Sequence, residues 1–156
     1  MAQVIEDKLL KALAARIATI TSPLTPRVLV GAVTQTSVEQ MQDGDVLLHA
    51  VDVNRIEAAG SGTHHWSMTV AIVARTVLVA ETVNVTPLDR VLELGAALRG
   101  VLYADATQSA IQAVTAGSAR ATELVRAARM YYVPKPGRGE GGFALAVTSA
   151  ELKWIE

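Results

Sequence analysis

The chain predicts an α+β fold: a mostly antiparallel sheet with long hairpins, packed by an N-terminal helix and a central helix. Three observations carry that reading. Apolar residues recur at helical spacing near the N-terminus, and Val-rich runs with strand-like patterning follow. A helix with its own start signal then separates two pairs of such runs. With 156 residues and no linker-like stretch, the expectation is one domain over residues 1–156.

The first helix is read from Ile5, Leu9, Leu13, Ile17 and Ile20, with Leu10 widening the stripe, and is placed at about residues 4–18. Glu6, Asp7, Lys8 and Lys11 occupy its other faces. Acids come early and Arg16 late, the order that the helix dipole favours. Pro23 and Pro26 end it and force an extended exit. Residues 27–33 form a short β-branched run and read as a strand.

Residues 35–44 are polar and read as a loop ending in the turn signal Asp43-Gly44-Asp45. Residues 45–52 and 67–76 read as two strands of a hairpin, with residues 53–66 as an oversized tip around Gly60-Ser61-Gly62. Compact hairpins need about two to five loop residues, so a tip this long is either functional or partly disordered, unless its base extends the two strands.

Thr86-Pro87-Leu88-Asp89 is the clearest local signal: a capping hydroxyl, a proline suited to the first helical position, and an acid near the capping-box place. The helix is expected to reach Tyr103 and to bury Leu88, Val91, Leu92, Leu98 and Leu102. Residues 106–116 are ambiguous, Ala-rich like a helix but alternating at Ile111, Ala113 and Thr115 like a strand. Gly117-Ser118 ends them either way. Residues 123–133 and 143–154 read as a second hairpin whose tip, residues 134–142, is too rich in Gly and Pro for a regular element.

Composition narrows function. Hydrophobic residues make up 51% of the chain but aromatic ones only 4%, so Ala, Val and Leu must build the core. Phe and Trp would each bury about 150–250 Å², and burial between subunits would offset their scarcity. A mean hydropathy of +0.32 points the same way. The formal net charge of −1 gives no strong field for duplex DNA or an anionic membrane. Without Cys there is no disulfide, thiolate metal site or Cys nucleophile. Charges spread through residues 1–20 argue against a signal peptide, and no apolar run is long enough for a membrane helix.

Candidate chemistry is sparse. His64 and His65 are adjacent, so on a strand they would face opposite ways, and with His49 they form no zinc spacing. The Gly-rich stretches at 60–62 and 137–142 have no helix behind them and read as flexible tips rather than phosphate loops. Asp43, Asp45 and Asp52 read as solvated turn and strand-end residues, and no serine sits in a nucleophile elbow. Arg120, Arg126, Arg129 and Arg138 with Tyr131 and Tyr132 offer a mildly basic, aromatic patch of the kind that single-stranded nucleic acid uses.

The order of elements resembles the tail terminator (tail completion) proteins of long-tailed bacteriophages. The similarity covers most of the chain. It runs from the opening helix, Ile5 to Ile20, through the Pro-flanked strand at 27–33 and the long hairpin around Gly60. It continues through the strand ending at Arg75, the helix from Leu88 to Leu102, and the closing strand ending at Trp154. The resemblance implies a structural virion protein, assembled in the host cytoplasm, that forms a hexameric ring at the head-proximal end of the tail tube. Such a ring ends tube polymerisation and joins the tail to the head connector. Its partners would be copies of itself, the tail tube protein, the head–tail connector (stopper) protein and DNA passing through the channel. Catalytic residues, cofactors, metals and membranes are not expected.

Two alternatives stand beside it. One is a head-completion, connector or tail-tube subunit of the same assembly; the other is a small α+β ligand-binding domain or enzyme. For the assembly reading, the expected contact residues are Arg55, His64, His65 and Trp66 on the first hairpin tip, and Lys135 and Arg138 on the second.

Overall fold

A computed structural model describes residues 4–31, 34–56, 62–77, 87–126, 129–135 and 142–156. Helix α1 (Ile5–Ile17) buries Ile5, Leu9, Leu13 and Ile17, the stripe read from the sequence. After it the chain passes a cis Ser22–Pro23 peptide into β1 (Val28–Val30). That strand is shorter than expected, with residues 32 and 33 outside the described residues.

The polar stretch after β1 is a helix rather than a loop, α2 (Gln35–Gln40). Its signal is a capping box with serine in place of the usual acid. The Ser37 N–H donates to Thr34 Oγ1 at 3.0 Å, and the Thr34 N–H donates back to Ser37 Oγ at 2.8 Å. Val38 and Met41 pack against Leu47 and Val73 of the sheet. Arg75 donates to the Val38 and Glu39 carbonyls, satisfying the end of the helix.

The turn at Asp43-Gly44 is present, with Gly44 at φ +80° and its N–H bonded to Arg75 O at 2.7 Å. A side chain at Gly44 would also run into Leu24. Its two flanking acids are not solvated, contrary to the sequence reading. Asp45 is buried and accepts Arg27 Nε at 2.9 Å, Arg27 Nη2 at 2.6 Å and the Gln42 N–H at 2.7 Å. Hydrogen bonding to Asp45, reinforced by its charge, holds the Arg27 guanidinium above its ordinary value. Asp43 is clasped by both Nη atoms of Arg90 and accepts the Val77 N–H at 2.9 Å. Buried carboxylates need such partners, because an unpaired one would carry its full desolvation cost.

Strand β2 (Val46–Ile56) runs parallel to β1 and antiparallel to β3 (His65–Val77). Pairing extends from Val46↔Ala74 to Ile56↔His65, with an irregularity between Ala50 and Asp52. The strands thus absorb much of the tip expected at 53–66. Of the remainder, residues 57–61 lie outside the described residues.

Helix α3 (Pro87–Tyr103) starts at the proline, as the sequence suggests; its proposed cap, Thr86, lies outside the described residues, as does the Leu88 side chain. Its buried stripe is Val91, Leu94, Leu98 and Leu102, whereas Leu92 is 42% exposed and not buried as expected. One residue of helix is a 100° rotation, which carries Leu92 off the face that Val91 and Leu94 define.

The ambiguous stretch is both things in turn. Helix α4 (Asp105–Gln112) is followed by a two-residue strand, β4 (Thr115–Ala116), and a turn at Gly117, φ +60°. The expected single strand at 123–133 is two: β5 (Ala119–Arg126) and β6 (Tyr131–Lys135). Both pair antiparallel with β7 (Phe143–Ile155), β5 along its C-terminal half and β6 along its N-terminal half. Pro134 and Lys135 therefore belong to a strand, against expectation. Residues 136–141 of that tip lie outside the described residues.

Among the described residues the sheet has seven strands in the order β1-β2-β3-β7-β5-β4, with β6 beside β5 on the same edge of β7. All pairs but β1–β2 are antiparallel, so the α+β expectation stands. One face carries the main core, where α1, α3 and α4 meet Leu48, Val70, Ile72, Ala146, Leu152 and Trp154. Strict alternation along β7 buries every second residue from Ala144 to Trp154. The other face is covered by the small cluster under α2.

Candidate functional site

Registers place the strand ends. At one end of the sheet Val46, Ala74, Ala146 and Tyr132 lie in a row; at the other end Ile56, His65, Ile155 and Arg120 do. β1 covers the outer edge of β2 only at Val46–Leu48, and the Gly31 N–H adds one bond to Leu48 O at 2.9 Å. Beyond it, among the described residues, nothing pairs with the outer edge of β2 over residues 50–56. Val51 and Val53 stand 54% and 42% exposed on this stretch, and Ile56 is exposed as well.

The opposite edge shows the reverse. β5 is closed by β4 and by two side chains of α4: Gln108 Oε1 accepts the Leu124 N–H at 3.2 Å, and Gln112 Nε2 donates to Thr122 O at 3.2 Å. Two glutamines at i,i+4 thereby occupy edge groups of β5 that a further strand would use. The outer edge of β6 has no strand partner among the described residues, and Tyr131 is 59% exposed. The sheet thus presents two open half-edges, β2 at one end and β6 at the other, at diagonally opposite corners.

The first four expected contact residues gather at the far end of the β2–β3 hairpin. Arg55 Nη2 lies 2.7 Å from His64 Nδ1, so the guanidinium donates and the ring nitrogen accepts. The His64 backbone exchanges two hydrogen bonds with Glu156, at 3.0 and 2.9 Å, extending the β3–β7 ladder by one pair. His65 pairs with Ile56 and Ile155 and points to the face opposite Trp66. Trp66 is half-buried and stacks on Trp154, ring centroids 6.5 Å apart and planes 13° from parallel. It opens the core strand. Both indole N–H groups are buried without a hydrogen-bond partner.

Lys135 lies at the other end of the sheet, its backbone paired with Phe143, and its side chain is outside the described residues, as is Arg138. Lys135 is therefore at the end of the sheet opposite the first four expected contact residues. His49 is apart from the other histidines, its Nδ1 3.1 Å from Gly31 O. Among the described residues no three His, Asp or Glu side chains gather as metal ligands. No described helix is long and apolar enough to cross a membrane.

The basic, aromatic patch divides. Arg120 sits at the Ile155 end, while Arg126 and Arg129 lie near the end of α3 with Tyr103 and Tyr132. The open edges themselves escaped the sequence reading. Their signal would have been Val51 and Val53 beyond the reach of so short a β1. No known protein family matches this chain, and no curated protein is significantly similar to it.

Proposed function

We propose that the chain is a structural subunit of a bacteriophage tail that assembles with copies of itself into a ring, as a tail terminator does. The observation that supports it is the pair of open half-edges at diagonal corners of one sheet. An exposed, apolar strand edge is a template for pairing with another chain. Two different edges on one subunit make a head-to-tail contact, and such contacts close into rings when the rotation per subunit closes. Because the half-edges are at opposite ends, joining β2 of one copy to β6 of the next staggers successive sheets. A stagger of this kind accompanies strands tilted around a closed barrel.

In this reading Arg55, His64 and His65 face one axial neighbour, the tail tube or the connector, and the end of the sheet that carries Lys135 faces the other. DNA passes through the channel.

The test is a pair of edge substitutions, Val51→Lys and Val53→Lys, which place charges on the exposed strand without entering the core. Light scattering of the unmodified protein, alone and with purified tail tubes, is expected to show a multimer near six times 16.5 kDa. The variants should melt like the parent and stay monomeric. A parent that remains a monomer under both conditions, or variants that assemble normally, would refute the edge contact.

A further inference from the structure

The last turns of α3, the start of β6 and β7 enclose a cavity of about 120 Å³. Arg99 and Arg129 line it together with Tyr103, Tyr132 and Met130. We propose that this cavity binds a phosphate dianion, free or carried as a terminal monoester.

Size comes first. The volume equals that of about four liquid waters, and lies well below the ~300–1,000 Å³ of pockets that engulf whole small molecules. It takes one functional group.

Charge comes second. The described lining residues include two arginines and no Asp or Glu, and among the described residues neither Arg99 nor Arg129 has an ion-pair partner. Arg126, by contrast, is already engaged: its Nε donates to Leu102 O at 2.6 Å, and its guanidinium lies 5.1 Å from the Tyr103 ring centre. Two exposed arginines on different segments of the chain can bring two guanidinium forks to a tetrahedral oxyanion with several acceptor oxygens, whereas one fork satisfies a flat carboxylate. Two positive charges balance a dianion.

The walls are fixed in advance. Thr148 Oγ1 donates to Arg129 O at 2.8 Å, which holds the backbone bearing one guanidinium. On α3, Gly95 leaves room for the ends of the Tyr132 and Met130 side chains. A Cβ there would come within 2.5 Å of Tyr132 Oη and 2.9 Å of Met130 Sδ. The glycine weakens its helix by about 1 kcal/mol relative to alanine, so its place against Tyr132 and Met130 fits a wall that must sit close.

The proposal does not depend on ring assembly, although Tyr132 lies in β6, the strand that meets the next copy in that reading. It is tested on the isotope-labelled full chain by following amide resonances while inorganic phosphate is added, against sodium chloride at equal ionic strength. Saturable shifts at residues 99, 103, 129–132 and 148 are expected with phosphate alone. Arg99→Ala and Arg129→Ala should each weaken binding about tenfold or more, the scale of one charge-assisted hydrogen bond. Arg120→Ala, at the far end of the sheet, should leave it unchanged. Gly95→Ala keeps both guanidiniums but displaces Tyr132 and Met130, and should weaken binding several-fold.

A nucleoside monophosphate binding more tightly than inorganic phosphate would identify an esterified ligand; equal or weaker binding would identify free phosphate. Chloride reproducing the shifts, shifts scattered over other basic residues, or unchanged affinity in the Arg99 and Arg129 variants would overturn the proposal. Unchanged affinity in Gly95→Ala would overturn the cavity as its basis.

Discussion

Replacing Leu94 and Leu92 of α3 by alanine, one at a time, tests how that helix is seated. The two leucines are two residues apart on the same helix, and leucine and alanine are both good helix formers, so intrinsic propensity nearly cancels. Leu94 is fully buried against the sheet, whereas Leu92 is 42% exposed. Truncation to alanine removes three carbons, about 2.4 kcal/mol of transfer free energy at about 0.8 each. At Leu94 the close-packed surroundings relax only partly, and the cavity term raises the loss to about 3–5 kcal/mol. Leu92 is already 42% exposed and leaves no closed cavity on truncation, so the loss should stay at about 1 kcal/mol.

Urea unfolding followed by circular dichroism measures both, at a protein concentration where the species is monomeric. The Leu94 variant should lose midpoint without change of slope. In a thermal melt it should fall by about 6–20 °C, at about 2–4 °C per kcal/mol for a chain of this size. Equal losses at the two positions, or a larger one at Leu92, would refute the packing described for α3. A Leu92 loss that appeared only in the assembled ring would place that residue at a subunit contact instead.

The Asp43–Arg90 pair joins the loop before β2 to the first turns of α3, and both side chains are largely buried. A double-mutant cycle on Asp43→Ala and Arg90→Ala should give a coupling of about 1–3 kcal/mol, and additive single losses would show that the clasp does not form in solution. Gln108→Ala should leave the Leu124 N–H without its acceptor, at a cost of about 1–3 kcal/mol, with faster hydrogen exchange at Leu124; unchanged protection there would mean that α4 does not close the β5 edge.

The sequence by itself determined the elements whose signals are local and periodic. The α1 stripe from Ile5 to Ile17, the alternation along β7 and the proline start of α3 each follow from backbone geometry within one segment. Those signals sufficed for the fold class. Short-range chemistry was present too: Thr34 and Ser37 form the capping box of α2, in a stretch whose polar composition reads as a loop. The candidate contact residues were legible as polar and aromatic side chains in hairpin segments, but not that Arg55 would meet His64 or that Trp66 would stack on Trp154.

What only the tertiary structure decided are the pairings between distant segments. Asp43 and Asp45 look like turn residues until Arg90 and Arg27 arrive from elsewhere in the chain, 47 and 18 positions away. Which edges stay open depends on β1 covering only three residues of β2, and on two glutamines of α4 reaching β5. The cavity lined by Arg99 and Arg129 is built from α3, the start of β6 and β7, and Tyr132 and Met130 reach it past Gly95, where a side chain would meet them. Periodicity is set by each residue's neighbours in the chain, whereas edge closure, charge pairing and cavity shape depend on which remote backbone arrives alongside.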